Sequence, residues 1–561
     1  MSGIVAQMQS QLAQRLAQAV EKAIQDGEIP PLTVPEFIVE VPREKGHGDF
    51  ATNLALMLAK PAKNAPRKLA EIIVNKLELA GTSVQKVEIA GPGFINFHLD
   101  PYWMHRVLLQ VEEQGEHYGR VDLGEGTKVQ VEFVSANPTG LLHMGNARGA
   151  ALGDSLASIL EFAGYDVQRE YYINDAGNQI ENFGRSLEAR YLQQLGQDVP
   201  LPEEGYHGED LIDTVKNFIQ QYQDKYLNVD GATRREKLVQ FALKEKLTAI
   251  KNTLLDFGVI YDVWFSEQSL HQSGAIEETI KELQQKGYIY EHENALWFKA
   301  TAFGDEKDEV VVRSNGIPTY FAADIAYHKN KFQRGFQRVI NIWGADHHGH
   351  VNRMKGSMEA LGYNRDSLEI ILMQLVRLLR GGEVVRMSKR TGRFVTLSEL
   401  IAEVGKDAAR YFFIMRSPDS HLEFDLDLAK SQTNDNPVFY IQYAHARICS
   451  IFRQLAERGG EKPTAKEVDL KVLQNEQEIN LIRKLAHFPV EISMAAQTMA
   501  PHRIAKYLHE LAGLFHSFYN SSRVIVDDPR LSAARLVLVN ATGIVLRNGL
   551  RLIGVSAPEK M

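Results

Sequence analysis

The sequence predicts a multidomain α/β protein built around a parallel β-sheet. In the middle of the chain, short apolar strands alternate with amphipathic helices, which is typical of parallel strands joined by helical crossovers. The chain before this part begins with a helical pattern and ends with strand-like residues, and the chain after it is helical almost throughout. With 561 residues, the chain is long enough for about three domains of ordinary size.

The expected domain boundaries follow these changes of pattern. An N-terminal α+β domain is expected over residues 1–115, with a second helix near 66–80 and a strand over Val87–Leu99. The sheet domain is expected over 116–435, and its charged, mostly helical part at about 200–300 is interpreted as an insertion between two halves of the sheet. Residues 436–561 predict a helical bundle.

The composition is that of an ordinary globular protein, with 44% hydrophobic and 24% charged residues. The single cysteine, Cys449, excludes an internal disulfide and a cysteine-rich zinc site, and it fits a cytoplasmic protein. No apolar run reaches the ~18–20 residues of a membrane-spanning helix, and the N-terminus lacks the pattern of a secretory signal. A net charge of −8 neither indicates nor excludes nucleic-acid binding, since a local basic stripe is enough.

The string SANPTGLLHMGNARGA (Ser135–Ala150) joins the first predicted strand of the sheet to a helix. The strand is predicted over Thr127–Val134, where valines alternate with Gln130 and Glu132, and this alternation puts Glu132 on a polar face. Apolar residues at helical spacing follow as far as a capping Gly164, and VQREYYI predicts the next strand. The string is therefore the first crossing of a βαβ unit, and such units bind ligands at the carboxyl ends of their strands.

The residues of this crossing suit a phosphate. Asn137–Gly140 forms a stiff turn, and His143 and Gly145 follow at the predicted helix start, where free N–H groups and the helix dipole attract anions. Gly145 leaves room for a flat ring against the backbone. His143 could donate to a phosphate, which is worth ~3–4 kcal/mol in a transition state. An ordinary helix start with a surface histidine fits the same spacing.

A second motif, Val385–Gly392, follows a hairpin turn predicted at Gly381–Gly382. Its cations Arg386, Lys389 and Arg390 are interspersed with small residues. Such a loop suits a polyphosphate, and Lys389 could follow a departing pyrophosphate. A solvated basic surface loop has the same composition. The occurrence of both motifs on one sheet favours a nucleotide site.

These motifs resemble the signatures of class I aminoacyl-tRNA synthetases. His143–Asn146 is similar to the HIGH signature, with Asn146 in place of the second histidine. Arg386–Arg390 is similar to the KMSKS loop, with Arg386 in place of the first lysine and Arg390 in place of the last serine. The strings VEFVSANPTGLLHMGNARGA, PTYFAADIAYHKNKF, DAARYFFIMRSPDSHLEFDLDLA and NPVFYIQYAHARI resemble the arginyl-tRNA synthetases in particular, and this resemblance covers essentially the whole chain.

The resemblance implies a Rossmann-type catalytic core with an insertion, a tRNA-contacting N-terminal domain and a helical anticodon-binding C-terminal domain. It implies the ATP-dependent attachment of L-arginine to tRNA(Arg) through an arginyl-adenylate, with Mg²⁺ bound to the ATP, no zinc, and a monomeric enzyme. A small-metabolite nucleotidyltransferase would not need the helical domain. A non-catalytic RNA-binding relative would be expected to lose His143, Lys389 or the acidic residues, and all of these are present.

The resemblance also implies roles for single residues. The catalytic residues would be His143, Asn146 and Lys389. ATP would be bound by Gly140, His143, Gly145, Asn146, Gly344, Asp346, His347, His350, Met387, Ser388 and Lys389. Arginine would be bound by Glu132, Ser135, Asn137, Tyr320 and Asp324. Pairing of Asp324 with Lys329 is the alternative. No metal ligands are expected among Asp346–His350, because nearly consecutive residues do not converge at ligand spacing.

The residues implied in tRNA binding lie in both flanking domains: Phe94, Asn96, Tyr440, Tyr443 and Arg447. Phe94 and Asn96 are two residues apart on one face of a strand, so a stacking ring and an amide could meet an unpaired base. Aromatic and basic residues are interspersed from Tyr440 to Arg447 at the start of a helix, which suits splayed bases. The alternatives for these positions are a core phenylalanine, a turn asparagine and helix-packing residues.

Overall fold

The computed structural model describes residues 3–42, 45–100, 102–385 and 395–561. The N-terminal part combines helices with a three-stranded antiparallel sheet of strand order β1-β3-β2. Its elements are α1 (Ile4–Gln25), β1 (Phe50–Thr52), α2 (Leu54–Ala59), α3 (Pro66–Lys76), β2 (Val84–Ala90), β3 (Phe94–Leu99) and α4 (Arg106–Gln114). The strand predicted over Val87–Leu99 is a hairpin, because Gly91 and Gly93 adopt positive φ angles and reverse the chain between β2 and β3.

The central part contains the predicted parallel sheet, with five strands in the order β11-β10-β4-β5-β6. Its elements are β4 (Lys128–Glu132), α5 (Met144–Phe162), β5 (Asp166–Ile173), α6 (Gly177–Gln194), α7 (Asp210–Tyr222), α8 (Gly231–Asp256), β6 (Val263–Ser266), α9 (Gln268–Ser273), α10 (Ala275–Gln285), β7 (Ile289–His292), β8 (Ala295–Phe298), β9 (Glu309–Val312), α11 (Tyr320–Gln333), β10 (Arg338–Gly344), α12 (His348–Leu361) and β11 (Leu368–Met373). The βαβ unit β4-α5-β5 confirms the crossing predicted from the sequence.

The interpretation of residues 200–300 as one insertion is wrong. β6 lies inside this range and pairs with β5 as the edge strand of the parallel sheet. Helices α6 to α8 precede β6, and a separate antiparallel sheet of β7, β8 and β9 follows it. The four-residue strand has no alternating pattern, so the surrounding helical periodicity concealed it.

The expectation of a polar face on β4 is also wrong. β4 lies between β10 and β5, and strands inside a parallel sheet are buried on both faces. Gln130 is 0% exposed and Glu132 is 7% exposed. The polar residues of this strand therefore lie in the protein interior, where they need partners.

The remaining elements lead from the sheet into a helical region. They are β12 (Val376–Arg380), β13 (Glu383–Val384), α13 (Leu397–Val404), α14 (Lys406–Ile414), β14 (Leu422–Asp425), α15 (Leu426–Lys430), α16 (Pro437–Glu457), α17 (Glu476–Ala486), α18 (Phe488–Gln497), α19 (His502–Ser521) and α20 (Pro529–Leu552). The predicted hairpin is present, since Gly381 and Gly382 have φ angles of 59° and 79° between β12 and β13.

Helix α20 is the central helix of the helical region. Among the described residues, it is the one helix whose length and composition would allow it to cross a membrane, and 67% of its most apolar window is buried inside the protein. It packs against α4, α16, α17 and α19. A core helix with these neighbours passes the same length and hydropathy criteria.

Candidate active site at the carboxyl ends of β4 and β10

A strained turn follows β4. Val134 and Ser135 have φ angles of 68° and 41°, and the backbone N–H of Ser135 donates to the Phe133 carbonyl at 3.0 Å. A β-branched residue with positive φ is rare, so tertiary contacts must hold this conformation. The hydroxyl of Tyr261 donates to the Phe133 carbonyl at 3.0 Å, and that of Tyr171 donates to the Ala136 carbonyl at 2.8 Å. Two tyrosine hydroxyls from the β5–β6 side of the sheet therefore fix the turn.

His143 caps helix α5. Its Nδ1 accepts from the backbone N–H of Gly145 at 3.1 Å, and its own backbone N–H donates to Oδ1 of Asn146 at 3.1 Å. Because Nδ1 accepts, the proton of the neutral ring lies on Nε2. The predicted position of His143 at the helix start is confirmed, and Asn146 has a structural role as the second member of a capping box.

The chain just after the second motif lies beside the first motif. Val385 donates to the Leu378 carbonyl of β12 at 2.9 Å. After the motif, Val395 accepts from the backbone N–H of Met144 at 3.2 Å, and Thr396 is bridged to His143. Met387, Ser388 and Lys389, together with Arg386 and Arg390, lie outside the described residues. The described chain resumes at Val395, beside the His143 cap.

A buried charged network lies under this crevice. Lys331, at 0% exposure, donates to Glu132 Oε2 at 2.5 Å and to Asn341 Oδ1 at 2.9 Å. The other oxygen of Glu132 accepts from Ser135 Oγ at 2.9 Å, and this same hydroxyl accepts from the backbone N–H of Tyr172. Glu132 and Ser135 are thus bound by the protein itself, which supports a role in shaping the turn.

An acidic pocket lies beside the network. Tyr320 and Asp324 share one face of α11 as predicted, and Tyr320 is 40% exposed. Oδ2 of Asp324 is 3.2 Å from Nε2 of His350. The proposed alternative partner of Asp324 is wrong, because Lys329 pairs with Glu282 at 2.8 Å. Asn137 is exposed on the turn after β4.

Glu267 is a second carboxylate of this pocket that the sequence motifs did not identify. It is 3% exposed and directly follows β6. Burial, together with the nearby charges of Asp324 and Asp175, raises the pKa of Glu267 to about 7, against the lowering effect of the Tyr172 hydroxyl. Among the described residues, no lysine or arginine lies within 4.0 Å of Glu267 or Asp324. The pocket therefore holds negative charge without a fixed cation.

The segment after β10 borders the same crevice. Gly344 ends the strand, and the side chains of Asp346 and His347 are 83% and 59% exposed. His350 instead faces Asp324, and its ring packs at a tilt against Trp343, with 5.6 Å between the ring centroids. Within the described ranges, no group of three or more His, Cys, Asp or Glu side chains could hold a metal ion.

The residues implied in tRNA binding have different surroundings. Phe94 is 36% exposed, whereas Asn96 is 4% exposed, so an unpaired base could reach only the ring without rearrangement. In α16, the Arg447 guanidinium lies between the rings of Tyr443 and Tyr519, 4.5 and 4.6 Å from their centroids. Tyr443, Arg447 and Tyr519 line a cavity of about 460 Å³. Tyr440 is outside it and packs on His516.

Three family models match most of the chain. Residues 10–99 match the arginyl tRNA synthetase N terminal domain, residues 107–417 match the class I (R) tRNA synthetase catalytic domain, and residues 441–561 match the DALR anticodon binding domain. The chain belongs to the arginyl-tRNA synthetase family. It is an arginine–tRNA ligase with a Rossmann-type class I core, an enzyme that attaches L-arginine to tRNA.

Relatives and solved structures agree with this assignment. The chain is 72% identical to the arginine–tRNA ligase of Desulforamulus reducens over 561 residues, with 100% of both chains covered. It is 63% identical to that of Moorella thermoacetica over 558 residues, again with 100% of both covered. The Thermus thermophilus arginyl-tRNA synthetase has the same fold, with a TM-score of 0.72, 22% identity and coverage of 97% of this chain and 99% of that chain.

Proposed function

We propose that the crevice between His143 and the acidic pocket is where arginyl-adenylate is formed and then transferred to tRNA(Arg). The observation that carries this proposal is the pair of carboxylates, Asp324 and Glu267, that lies beside Tyr320 with no described lysine or arginine within 4.0 Å. A guanidinium group could donate hydrogen bonds to both carboxylates through its planar fork of donors. A lysine ammonium would leave acceptors unmatched, so the pocket favours arginine.

In the first step, the arginine carboxylate attacks the α-phosphate of ATP in line, and pyrophosphate leaves. Nε2–H of His143 donates to the α-phosphate, while the N-terminus of α5 and Gly145 face the nucleotide. Gly140, Asn146 and the segment after β10 would border the ATP. Lys389, Met387 and Ser388 are assigned to the phosphates and the adenosine from the resemblance. Catalysis then depends on positioning and charge, without a protein nucleophile.

Mg²⁺ fits this site as an ion carried by the ATP phosphates. Asp346 is 83% exposed, and the described residues contain no cluster of three ligands that would hold the ion alone. The bound ion would offset charge on the β- and γ-phosphates. Zinc is not expected, because the chain has a single cysteine.

In the second step, the 2′-hydroxyl of the terminal adenosine of tRNA(Arg) takes the arginyl group and AMP leaves. Phe94 is proposed to stack on a base near the tRNA elbow, and the cavity with Tyr443 and Arg447 to hold anticodon bases. The exposed ring of Phe94 supports the first assignment, and the half-buried Tyr443 and Arg447 that line the cavity support the second. Tyr440, which packs on His516 outside the cavity, would stabilise the anticodon site. Asn96 would stabilise the strand that carries Phe94.

Several wider properties belong to the same proposal. The domains would span 1–115, 116–435 and 436–561, which the family matches ending at 99 and 417 and starting at 441 support. The enzyme would act as a cytoplasmic monomer, with its single cysteine fitting a reducing compartment. Light scattering of the purified enzyme tests the monomer directly.

The deciding experiment is aminoacylation of unfractionated tRNA with each of the twenty amino acids in the presence of ATP and Mg²⁺. We expect charging with arginine alone. Charging with lysine at a similar rate would contradict the proposed guanidinium pocket. Pyrophosphate release without arginine-dependent AMP formation would contradict the adenylate.

A further inference from the structure

A single buried arginine joins four parts of the chain. Arg410 in α14 is 0% exposed, and its Nη2 donates to Oδ2 of Asp154 in α5 at 2.5 Å. Its Nε donates to the Ile553 carbonyl at 3.0 Å, just after α20, and its Nη1 donates to the Phe257 carbonyl at 3.2 Å, just after α8. The planar guanidinium therefore fixes the relative positions of the ends of two helices and the middle of α5.

Asp154 lies on the same helix as His143. The two residues are eleven positions apart, which is about 16 Å along the helix axis. The second carboxylate oxygen of Asp154 is 3.3 Å from Nε of Arg169 in β5. Arg410 and Arg169 thus both bind the Asp154 carboxylate of α5. Removing one partner of such a buried charge greatly lowers the free energy of unfolding. A shift of Arg410 must therefore be followed by α5 and its His143 cap.

The segment after α20, residues 554–561, packs directly on this guanidinium. Gly554 has a φ angle of +66°, and a Cβ built on it would lie 2.2 Å from Cζ of Arg410. The backbone N–H of Ser556 donates to Asp407 at 3.2 Å, and the Ser556 hydroxyl also contacts this carboxylate. Glycine is required at position 554 because both the backbone angle and the neighbouring guanidinium exclude a side chain.

The same segment ends at the cavity of α16. The Pro558 carbonyl accepts from Nδ1 of His445 at 2.9 Å, and the Glu559 carbonyl accepts from Arg453 at 2.9 Å. Lys560 and Met561 then line the cavity that contains Tyr443 and Arg447. Eight residues of chain therefore run from the cavity in the helical region to the guanidinium under the catalytic helix.

We propose that Arg410 is a positioning residue for arginine activation, and that the segment 554–561 holds its guanidinium in place. Through Asp154, it holds α5 so that His143 faces the α-phosphate. The segment acts on the guanidinium because Gly554 packs against Cζ of Arg410 and Ser556 binds Asp407 of the same helix. This inference rests on the proposed function of His143.

The test compares Gly554→Ala with Gly459→Ala. Both glycines have positive φ angles, +66° and +74°, so alanine causes similar backbone strain, but nothing lies within 4 Å of a Cβ at Gly459. Arginine-dependent ATP–pyrophosphate exchange is measured with saturating tRNA and corrected for active sites by titration. We expect Gly554→Ala to lower kcat at least tenfold, with the KM for arginine and the Kd for tRNA within twofold. Gly459→Ala should keep kcat within twofold.

A second comparison separates positioning from simple loss of stability. Arg410→Lys removes the planar group that the methyl introduced by Gly554→Ala would contact. The double variant, Arg410→Lys with Gly554→Ala, should therefore lose less kcat than the product of the two single losses. An unchanged kcat per active site in Gly554→Ala, or equal losses in Gly554→Ala and Gly459→Ala, would overturn the proposal.

If Gly554→Ala yields no soluble enzyme, Ser556→Ala decides, with an expected threefold or greater loss of kcat at unchanged Kd for tRNA. An unchanged kcat would overturn the proposal. A wild-type enzyme that fails to form arginyl-tRNA would instead refute the proposed function.

Discussion

The ammonium group of Lys331 lies 2.5 Å from the carboxylate of Glu132, and both side chains are buried. The pair joins α11 to the end of β4, and Asn341 of β10 accepts a further hydrogen bond from Lys331. Since Ser135 also donates to Glu132, the network fixes the strained turn that leads to His143. A charge pair in the interior thus holds the two elements between which the substrates are proposed to bind.

Replacing Lys331 with methionine should leave Glu132 buried without its cation. We expect a loss of about 3–5 kcal/mol in the free energy of unfolding, measured by urea denaturation. The double variant Glu132→Gln with Lys331→Met should recover part of this loss, because no charge is then left unpaired. Lys86→Met is the control, since the exposed Lys86–Glu88 pair should contribute less than about 1 kcal/mol. Equal losses in the two lysine variants would contradict the argument.

Arginine binding should depend on pH through Glu267. Its pKa is raised to about 7 by burial, so below that pH the free enzyme carries a proton on this carboxyl group. A bound guanidinium stabilises the carboxylate and lowers the pKa, so binding releases the proton. Affinity should therefore rise with pH, by up to about tenfold per unit, and level off above pH 7. Calorimetry in buffers of different ionisation enthalpy measures the released proton.

Glu267→Gln should weaken arginine binding and remove its pH dependence between pH 5.5 and 7.5. His271→Gln is the matched control, because Nε2 of His271 is 3.6 Å from Glu267 and is itself a titratable group nearby. The His271→Gln variant should keep the rise of arginine affinity with pH. A slope that survives Glu267→Gln and disappears with His271→Gln would assign the proton to the histidine.

Asp324→Asn should impair arginine recognition specifically. Loss of one carboxylate facing a buried guanidinium costs about 2–5 kcal/mol, so the KM for arginine should rise roughly 30- to 5,000-fold while the KM for ATP stays nearly constant. His350→Ala tests the competing explanation that Asp324 only orients His350, 3.2 Å away. If His350→Ala reproduces the whole effect on arginine, the carboxylate is not the guanidinium partner.

The sequence was sufficient where local chemistry decides the structure. The turn at Gly381–Gly382, the histidine cap at His143 and the shared face of Tyr320 and Asp324 depend on neighbours within a few residues. The sequence was insufficient for Lys331 and Glu132, which are 199 positions apart. Their pairing depends on the order of strands in the sheet, which no local pattern contains.

Two other errors have similar causes. Alternation along β4 predicts a half-exposed strand, but its central position in a parallel sheet buries both faces. Glu267 was missed because it follows a four-residue strand in a region with helical periodicity. A polar residue directly after a short aromatic strand is the signal that could have identified it.

His143 and Asn146 should have separable roles. His143→Asn keeps a good N-cap residue but removes the Nε2 donor, so the rate of adenylate formation should fall about 10²- to 10³-fold with little change in stability. Asn146→Ala opens the capping box, so it should cost about 1 kcal/mol of stability with a smaller effect on the rate. Single-turnover kinetics and thermal unfolding measure the two effects. If Asn146→Ala instead caused the large loss of rate and His143→Asn the loss of stability, the donor would lie on Asn146.

Phe94 should contribute to tRNA affinity, whereas Asn96 should not. Phe94 is 36% exposed at the start of β3, and loss of a base stacked on its ring costs about 1–3 kcal/mol, which raises the KM for tRNA roughly 5- to 150-fold in Phe94→Ala. Met57→Ala is a matched control in the same domain, since Met57 is 38% exposed and lacks a ring. Asn96→Ala should lower the melting temperature and leave the KM for tRNA of the folded enzyme unchanged, because the amide is buried. A KM for tRNA that rises equally in Phe94→Ala and Met57→Ala would show that the apolar surface, rather than a stacked base, is responsible.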